Sequence, residues 1–515
     1  MTRFQAKDWG VPLLYGLPVF VLILCLFLSI QLDFEQFHND FWDVFFVART
    51  MVWEDRQSWF NPQYPVGYCL FLKFIMGDGL PVVSAILANL FFTGITLLVC
   101  AFFYRKQLGA VFALVPLLAL ALFPEFFHYA NAGGGDPGAV AFFTLGTFLL
   151  FSMVNSPSQQ DPKASVFFLG GLLLGMGGLF RYHALVASGI LVLALLLSYP
   201  RKWKSLAVAV AGVCVGYCPQ WAVNLASGRG LLETQFGPMN VYYLMHEINW
   251  YRILDLNLSG SSFSIIAEDP TLFLKKYLLS FWSFKQAWLP PLFAYFLNRR
   301  FGERNKLFQV LAIWVLLYFV LFSATTSGRQ ILLALPLSFL AFGFCLRFLW
   351  ERTTQVLRFS NPPIRFAVFA TFASLLLIHY LTRDLETQEI RRQHRDISTS
   401  IEAHVLKNGC KLASQIYTSD FDLYFRSLPP YIPYFNGGAP RLGTYHYNQE
   451  FPEFPVDVPS EFVQTCRARG VRFVVLNSDC RNLSKAFGSL YAGETSWEGL
   501  KSEIEFGDRK VFKVQ

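Results

Sequence analysis

Apolar residues fall in eleven runs, most of them close to the roughly 20 helical residues needed to cross a hydrocarbon core about 30 Å thick. They cover 11–30, 80–104, 109–124, 137–154, 166–180, 183–199, 206–224, 277–297, 307–323, 329–350 and 364–381. Two runs are short, which leaves ten to twelve spans. The gaps between runs are not equivalent, because basic residues cluster beside almost every second one. Arg3 and Lys7 precede the first run, and Arg105 and Lys106 follow the second. Lys163 precedes the fifth, and Arg201, Lys202 and Lys204 follow the sixth. Arg299, Arg300, Arg304 and Lys306 separate the eighth from the ninth, and Arg347 to Arg365 flank the tenth and eleventh. With the amino terminus in the cytoplasm, every cluster falls on the cytoplasmic side, as basic loop residues do in multi-span proteins. The first run lacks a small-residue cleavage site and reads as a retained span, not a signal peptide.

Composition agrees. The 515 residues are 54% hydrophobic and 17% aromatic, with 55 phenylalanines and only 15% charged residues, too few for a soluble surface of this size. The formal charge of +8 sits largely in short loops, where it sets topology, and does not suggest a nucleic-acid partner. The predicted fold class is therefore an α-helical polytopic protein of the inner or plasma membrane with a small extracytoplasmic α/β domain at its carboxy end, divided at 381/382. Segments 31–79 and 225–276 are read as long outer loops of the membrane domain. Long loops of this kind usually carry function or act as lids.

The stretch after 382 changes character. Residues 383–408 read as a charged helix. Gln415 to Thr418 and Val471 to Leu476 have the β-branched and aromatic content of strands. Pro459-Ser460-Glu461 opens a helix that Gly470 closes, and Ile504 to Val514 around Gly507-Asp508 reads as a hairpin. Three of the nine cysteines, Cys410, Cys466 and Cys480, lie here, and one pair of them is a candidate disulfide. The chain holds no CxxC, HExxH or phosphate-binding glycine loop. Gly133-Gly134-Gly135 precedes an acid, not Lys-Ser/Thr.

Charged side chains at membrane depth persist mainly where they line a cavity or pair. The topology puts Asp40, Asp43, Asp136, Arg181, His183 and Arg329 at the outer boundary, supplied by four separate connections. Asp40 and Asp43 share one helical face, where a carboxylate acts as general base, or where one caps a helix and the other pairs with Arg49 or Arg56. Asp136 suits the first turn of a helix as well as it suits catalysis or metal binding. Arg181 and Arg329 fit bidentate phosphate binding, or snorkelling to headgroups. Lys285, in FWSFKQAW, reaches a phosphate or packs on its aromatic neighbours. Tyr64 and Tyr68 offer rings to a sugar or belong to an aromatic belt. His183 and His246 are substrate-contact candidates with no partner at metal-ligand spacing.

Four landmarks give these residues a family likeness. They are Asn39-Asp40-Phe-Trp-Asp43 after the first span, Tyr64-Pro-Val-Gly67-Tyr68, Asp136 opening the fourth span, and Ser327-Gly-Arg329-Gln-Ile-Leu-Leu-Ala-Leu-Pro336. Their order over residues 10–381 resembles the GT-C superfamily of polytopic glycosyltransferases, in particular the family 39 and lipid A aminoarabinose transferase type. The resemblance implies transfer of a sugar from a polyprenyl-phosphate donor to a lipid, glycan or protein acceptor at the outer face, with inversion. It assigns Asp40 as catalytic base, Asp136 as its support or a holder of a cation, and Arg329 as a contact to the donor phosphate. The chain departs from the pattern in having Asp40-Phe-Trp-Asp43 for an Asp-Glu pair and Val66 where relatives carry Lys. With no Asp-x-Asp motif the reading is metal-independent, although some GT-C enzymes use a divalent cation. The alternative is a multispan transporter or flippase of lipid-linked sugars, which usually shows internal repeats and broken midplane helices. No repeat is visible in this sequence.

Overall fold

The computed structural model describes residues 10–31, 65–76, 81–131, 134–154, 164–228, 230–231, 236–246, 262–301, 305–323, 328–356, 396–410, 415–419, 446–447, 454–478, 480 and 484–515, with scattered positions in 44–51 and 375–393. The chain forms two units. One comprises Met1–Met245 with Gly260–Leu385, and the other His246–Ser259 with Glu386–Gln515.

The first unit is helical. Its helices are α1 (Gly10–Gln31), α2 (Val66–Met76), α3 (Pro81–Leu108), α4 (Ala110–Ala121), α5 (Pro124–Asn131), α6 (Asp136–Val154), α7 (Ala164–Phe180) and α8 (Tyr182–Ser198). They continue with α9 (Trp203–Ala226), α10 (Phe236–His246), α11 (Ser262–Glu268), α12 (Pro270–Ser283), α13 (Lys285–Arg300), α14 (Lys306–Phe322) and α15 (Ile331–Val356). Four stretches are long and apolar enough to cross a bilayer: Ala85–Leu108, Asp136–Val154, Pro200–Ala226 and Ile331–Arg352. Such a chain is a multi-pass membrane protein.

The predicted count of eleven spans is not reached among the described residues. The run 109–124 is a pair of helices bent by 66° between Ala121 and Pro124, and counting that pair as one span gives five. The run 277–297 breaks at Phe284 into α12 and α13, and none of the side chains of α12 is buried. The carbonyl of Phe281 accepts from the Phe284 amide (3.3 Å) and from the indole N–H of Trp288 (2.9 Å), so the break is bridged by a side chain as well as by backbone. Pro290 and Pro291 in the next turn remove two more backbone donors. The run 364–381 lies almost wholly outside the described residues. Two readings of outer loops also change. Within 31–79, the apolar helix α2 packs against α3, α7 and α9, and its N-terminal amide (Val66) donates to the buried Gln220 Oε1 (2.7 Å). Within 225–276, α10 and α11 pack through Val241, Met245 and Ile265.

Helix packing relies on small residues and shared polar groups, as expected where lipid is as apolar as leucine. Along the α7–α9 seam, a methyl group on Gly171 would overlap the carbonyl of Ala209, and one on Gly212 the carbonyl of Phe168. The seam therefore closes to backbone contact, which only glycine permits. Elsewhere, buried donors reach carbonyls of other helices. Trp314 Nε1 bonds the carbonyl of Ala187 (2.9 Å), Ser338 Oγ that of Ala287 (2.5 Å), and Tyr104 Oη that of Pro336. The Ala287 carbonyl is one that Pro291 cannot serve. Each bond leaves one fewer orphan in a medium without water.

The helix ends sort by charge. Arg105 reaches Tyr15 Oη (3.4 Å), Lys306 Nζ the carbonyl of Ser198 (3.1 Å), and Arg347 Nη1 the carbonyl of Gln107 (3.4 Å). These contacts bring the last turns of α3 and α8, the first turn of α14 and Arg347 of α15 to one end, and Asn298 Nδ2 of α13 joins them by donating to the carbonyl of Asn305 (3.1 Å). Asp136, Arg181, Gln330 and Arg329, at the opposite termini of their helices, gather at the other.

The second unit is a five-stranded sheet of order β2-β1-β3-β5-β4. Its strands are β1 (Ile416–Thr418), β2 (His446–Tyr447), β3 (Phe473–Leu476), β4 (Leu500–Phe506) and β5 (Arg509–Val514), with helices α16 (Pro459–Ala468) and α17 (Lys485–Ala492). β1 pairs in parallel with β2 and β3, and β5 is antiparallel to both β3 and β4. β1, β3, α16 and the hairpin turning at Gly507 (φ 58°) fall where the sequence puts them, and Gly470 (φ 71°) follows α16. One face of the sheet packs on Ile401 and Val405 of the helix over 396–407, and the other on Phe462, Phe487 and Trp497. The candidate disulfide is not formed, since Cys410, Cys466 and Cys480 are all free and buried. Cys410 lies in the first of these cores and Cys466 and Cys480 in the second. Burial pushes the Cys466 thiol up from 9.0 to about 12.

Candidate functional site

The site begins with a one-residue connection. α7 ends at Phe180 and α8 starts at Tyr182, so Arg181 alone joins them, in an extended conformation (φ −151°, ψ 127°). Its guanidinium meets Asp136, the first residue of α6, with Nη2 to Oδ2 at 2.5 Å. Asp136 is 2% exposed and Arg181 9%. The acid complements the N-terminal dipole of its helix, and the guanidinium neutralises it, which is what allows both to be buried. The second carboxylate oxygen, Asp136 Oδ1, is buried without a hydrogen-bond partner.

The backbone ahead of Asp136 is held from α2. Gly134 has φ 147°, a conformation that side-chain-bearing residues rarely adopt, and its amide donates to Tyr68 Oη (3.3 Å). The Tyr68 hydroxyl in turn donates to Asn89 Oδ1 of α3 (3.2 Å). Tyr68 is 1% exposed, with its ring 6.2 Å from that of Phe180. This corrects the reading of Tyr68 as a stacking platform: no face is open to a sugar. Its hydroxyl orders the Gly134–Asp136 turn instead.

On the other side of the pair stands α14. Tyr318 is fully buried, within electrostatic reach of Asp136, and donates from Oη to the carbonyl of Gln330 (2.9 Å). Gln330 belongs to a short 3-10 turn, Gly328–Gln330, that leads into α15. The neighbouring Arg329 is half-buried. Its Nε donates to Tyr129 Oη of α5 (3.1 Å), and its Cζ lies 5.7 Å from the centre of that ring. His183, in the first turn of α8, lies within electrostatic reach of Arg181 with its ring 6.1 Å from that of Phe322.

Asp136, Arg181, His183 and Arg329 are thus collected at one end of the helical unit by α5, α6, α8 and α14. Lys285 is not part of this collection. It opens α13 with Nζ packed 5.3 Å from the Trp282 ring centre, so the aromatic alternative describes it. His246 is exposed at the end of α10 and falls in the second unit. Asp40, Asp43 and Tyr64 lie outside the described residues.

Sequence reasoning missed three members. Tyr129 carried a weak signal, being an aromatic residue close to the glycine triplet. Tyr318 carried none, since a tyrosine inside an apolar helix looks like core. Glu125, in the first turn of α5, has Oε2 buried without a hydrogen-bond partner, and its position four residues before Tyr129 puts both on one helical face. Among the described residues no group of three His, Cys, Asp or Glu side chains converges.

Chemically, this end offers a buried carboxylate with one open acceptor atom beside two guanidiniums, one tied to that carboxylate and the other resting on a tyrosine. Such an arrangement suits an anionic ligand that also carries hydroxyl donors.

No protein-family model matches the chain, and neither does any curated protein sequence. Solved structures do match. ArnT from Cupriavidus metallidurans bound to undecaprenyl phosphate aligns with a TM-score of 0.50 and 14% identity, over 97% of this chain and 98% of that one. The apo state of the same ArnT gives 0.46 and 13%, over 95% and 97%. The archaeal oligosaccharyltransferase AglB from Archaeoglobus fulgidus, in complex with an inhibitory peptide and a dolichol-phosphate, gives 0.49 and 10%, over 95% and 72%. The alignment to undecaprenyl phosphate-bound ArnT runs through both units, so this chain shares the fold of that structure.

Proposed function

We propose that the chain is an integral membrane glycosyltransferase that moves a sugar from a polyprenyl-phosphate-linked donor to an acceptor at the extracytoplasmic face. The observation that carries this reading is the meeting of Asp136, Arg181 and Arg329 at the helix ends opposite the basic clusters. The fold in which they meet is shared with an ArnT bound to undecaprenyl phosphate. By the positive-inside rule, the basic ends face the cytoplasm and this end faces outward.

In this mechanism Arg329 holds the donor phosphate. Negative charge grows on that phosphate as the glycosidic bond breaks, so a guanidinium there stabilises the transition state more than the ground state. Arg181 is committed to Asp136 and acts on the phosphate at longer range. Asp136 Oδ1 accepts a hydrogen bond from a hydroxyl or amine of the substrate. Asp40 takes the proton from the acceptor nucleophile as it attacks the anomeric carbon, with inversion. The lipid tail stays in the bilayer while the sugar meets the acceptor at the interface.

The test is incubation of purified full-length protein with a panel of radiolabelled polyprenyl-phosphate sugars. One sugar is expected to be transferred or hydrolysed, and Asp40→Asn to abolish turnover without loss of expression. Translocation of lipid-linked sugar with no turnover would favour the flippase reading. Undiminished turnover in the Asn variant would remove Asp40 as base.

A further inference from the structure

The opposite end of the helical unit holds a second charged feature. α13 ends at Arg299-Arg300, and Phe301 caps it. The guanidinium of Arg352, in α15, sits over the Phe301 ring (4.8 Å from Cζ to the ring centre) and beside Phe348 (5.4 Å). Those two rings are 4.8 Å apart. Arg299 lies over Tyr295 at 5.9 Å. The last turn of α13 thus carries two exposed guanidiniums and α15 lays a third, Arg352, on its capping residue, with Arg299 and Arg352 held on aromatic faces by cation–π attraction. Among the described residues none of the three has an ion pair, and the adjacent carboxylate, Glu351, is taken by Arg347 at 2.9 Å. Like charges brought near one another with no ion pair among the described residues favour an anion beside them.

The surface running from this turn along α13 is apolar. Leu289, Phe293 and Phe296 recur at intervals of four and three residues, on one face, and are 44%, 47% and 59% exposed. A cationic rim above an apolar lane matches a molecule with an anionic head and acyl chains. We propose that the Phe301 turn and the last turns of α13 and α15 bind an anionic glycerophospholipid, with its phosphate among Arg299, Arg300 and Arg352 and its chains along Leu289, Phe293 and Phe296. Basic pockets between spans bind anionic headgroups in this manner. The site stands apart from the Asp136 end and does not depend on the glycosyltransferase reading.

Full-length protein in detergent, titrated with phosphatidylglycerol or phosphatidylcholine and observed by native mass spectrometry, tests this. Phosphatidylglycerol is expected to be retained and phosphatidylcholine not, with retention falling as salt rises. Arg352→Gln, Arg299→Gln and Arg300→Gln are each expected to weaken retention about fivefold, and the triple variant about a hundredfold. Arg352→Lys keeps the charge and is expected to lose less than Arg352→Gln. Equal retention of both lipids, or wild-type retention by the triple variant, overturns the proposal. Should the triple variant fail to fold, Arg352→Gln and the salt titration decide the matter in the same way.

Discussion

Arginine stands at both ends of the helical unit, in opposite settings. At the Asp136 end, Arg181 is 9% exposed and its charge is met by a carboxylate at 2.5 Å. At the other end, Arg352 is exposed and rests on Phe301, with no ion pair among the described residues. Burial makes the first guanidinium depend on its partner, since taking a lone charge out of water costs several kcal/mol. Exposure makes the second nearly free to keep and available to an outside anion. The same side chain is thus a fixed part of the protein at one end and an open contact at the other.

The comparison is most easily broken at Asp136. Asp136→Asn leaves Arg181 charged and uncompensated, with an expected loss of about 3–5 kcal/mol of stability. Thermal unfolding in detergent reads this, and Asp136→Asn with Arg181→Met is expected to recover most of it. If the double variant is as unstable as the single one, the pair is not coupled. Next in size is Tyr68→Phe, which leaves the Gly134 amide without its hydroxyl acceptor at an expected cost of about 1–3 kcal/mol. Turnover should fall with it while donor KM stays constant, because Tyr68 acts through the turn and not on the lipid. Arg329→Ala should do the reverse, raising donor KM about tenfold, or about 1.4 kcal/mol, with the unfolding midpoint unchanged. An unchanged KM would take Arg329 away from the donor phosphate. The smallest effect is expected of Arg352→Gln, below about 1 kcal/mol in lipid-free detergent. A loss there as large as that of Asp136→Asn would erase the distinction between the two ends.

How much of this could be read in advance varies by element. Helices α3, α6, α7, α8, α9, α14 and α15 lie within a few residues of the apolar runs, because a long apolar stretch in lipid has little alternative to helix. Runs 109–124 and 277–297 misled for the same reason: hydropathy reports polarity and is blind to a bend at Pro124 or a break at Phe284. Helix α2 escaped notice because its 11 residues are too few to register as a span, and only contact with α7 and α9 reveals that it is buried. In the site, Asp136, Arg181 and Arg329 stood out as charges among apolar neighbours. Their grouping was expected from sidedness, and in the fold Arg329 meets Tyr129 at 3.1 Å. That Arg181 pairs with Asp136 was not legible, nor was the use of Tyr68 as a support.

By itself the sequence determined the membrane class, the order of most helices, four of the five strands of the second unit and the few polar residues worth watching, because each is written in the local run of polar and apolar groups. Tertiary structure decided the partners. Pairing of Asp136 with Arg181, anchoring of Gly134 by Tyr68 and stacking of Arg352 on Phe301 join residues distant in sequence, and a charge is placed by what closes around it, not by its neighbours in the chain.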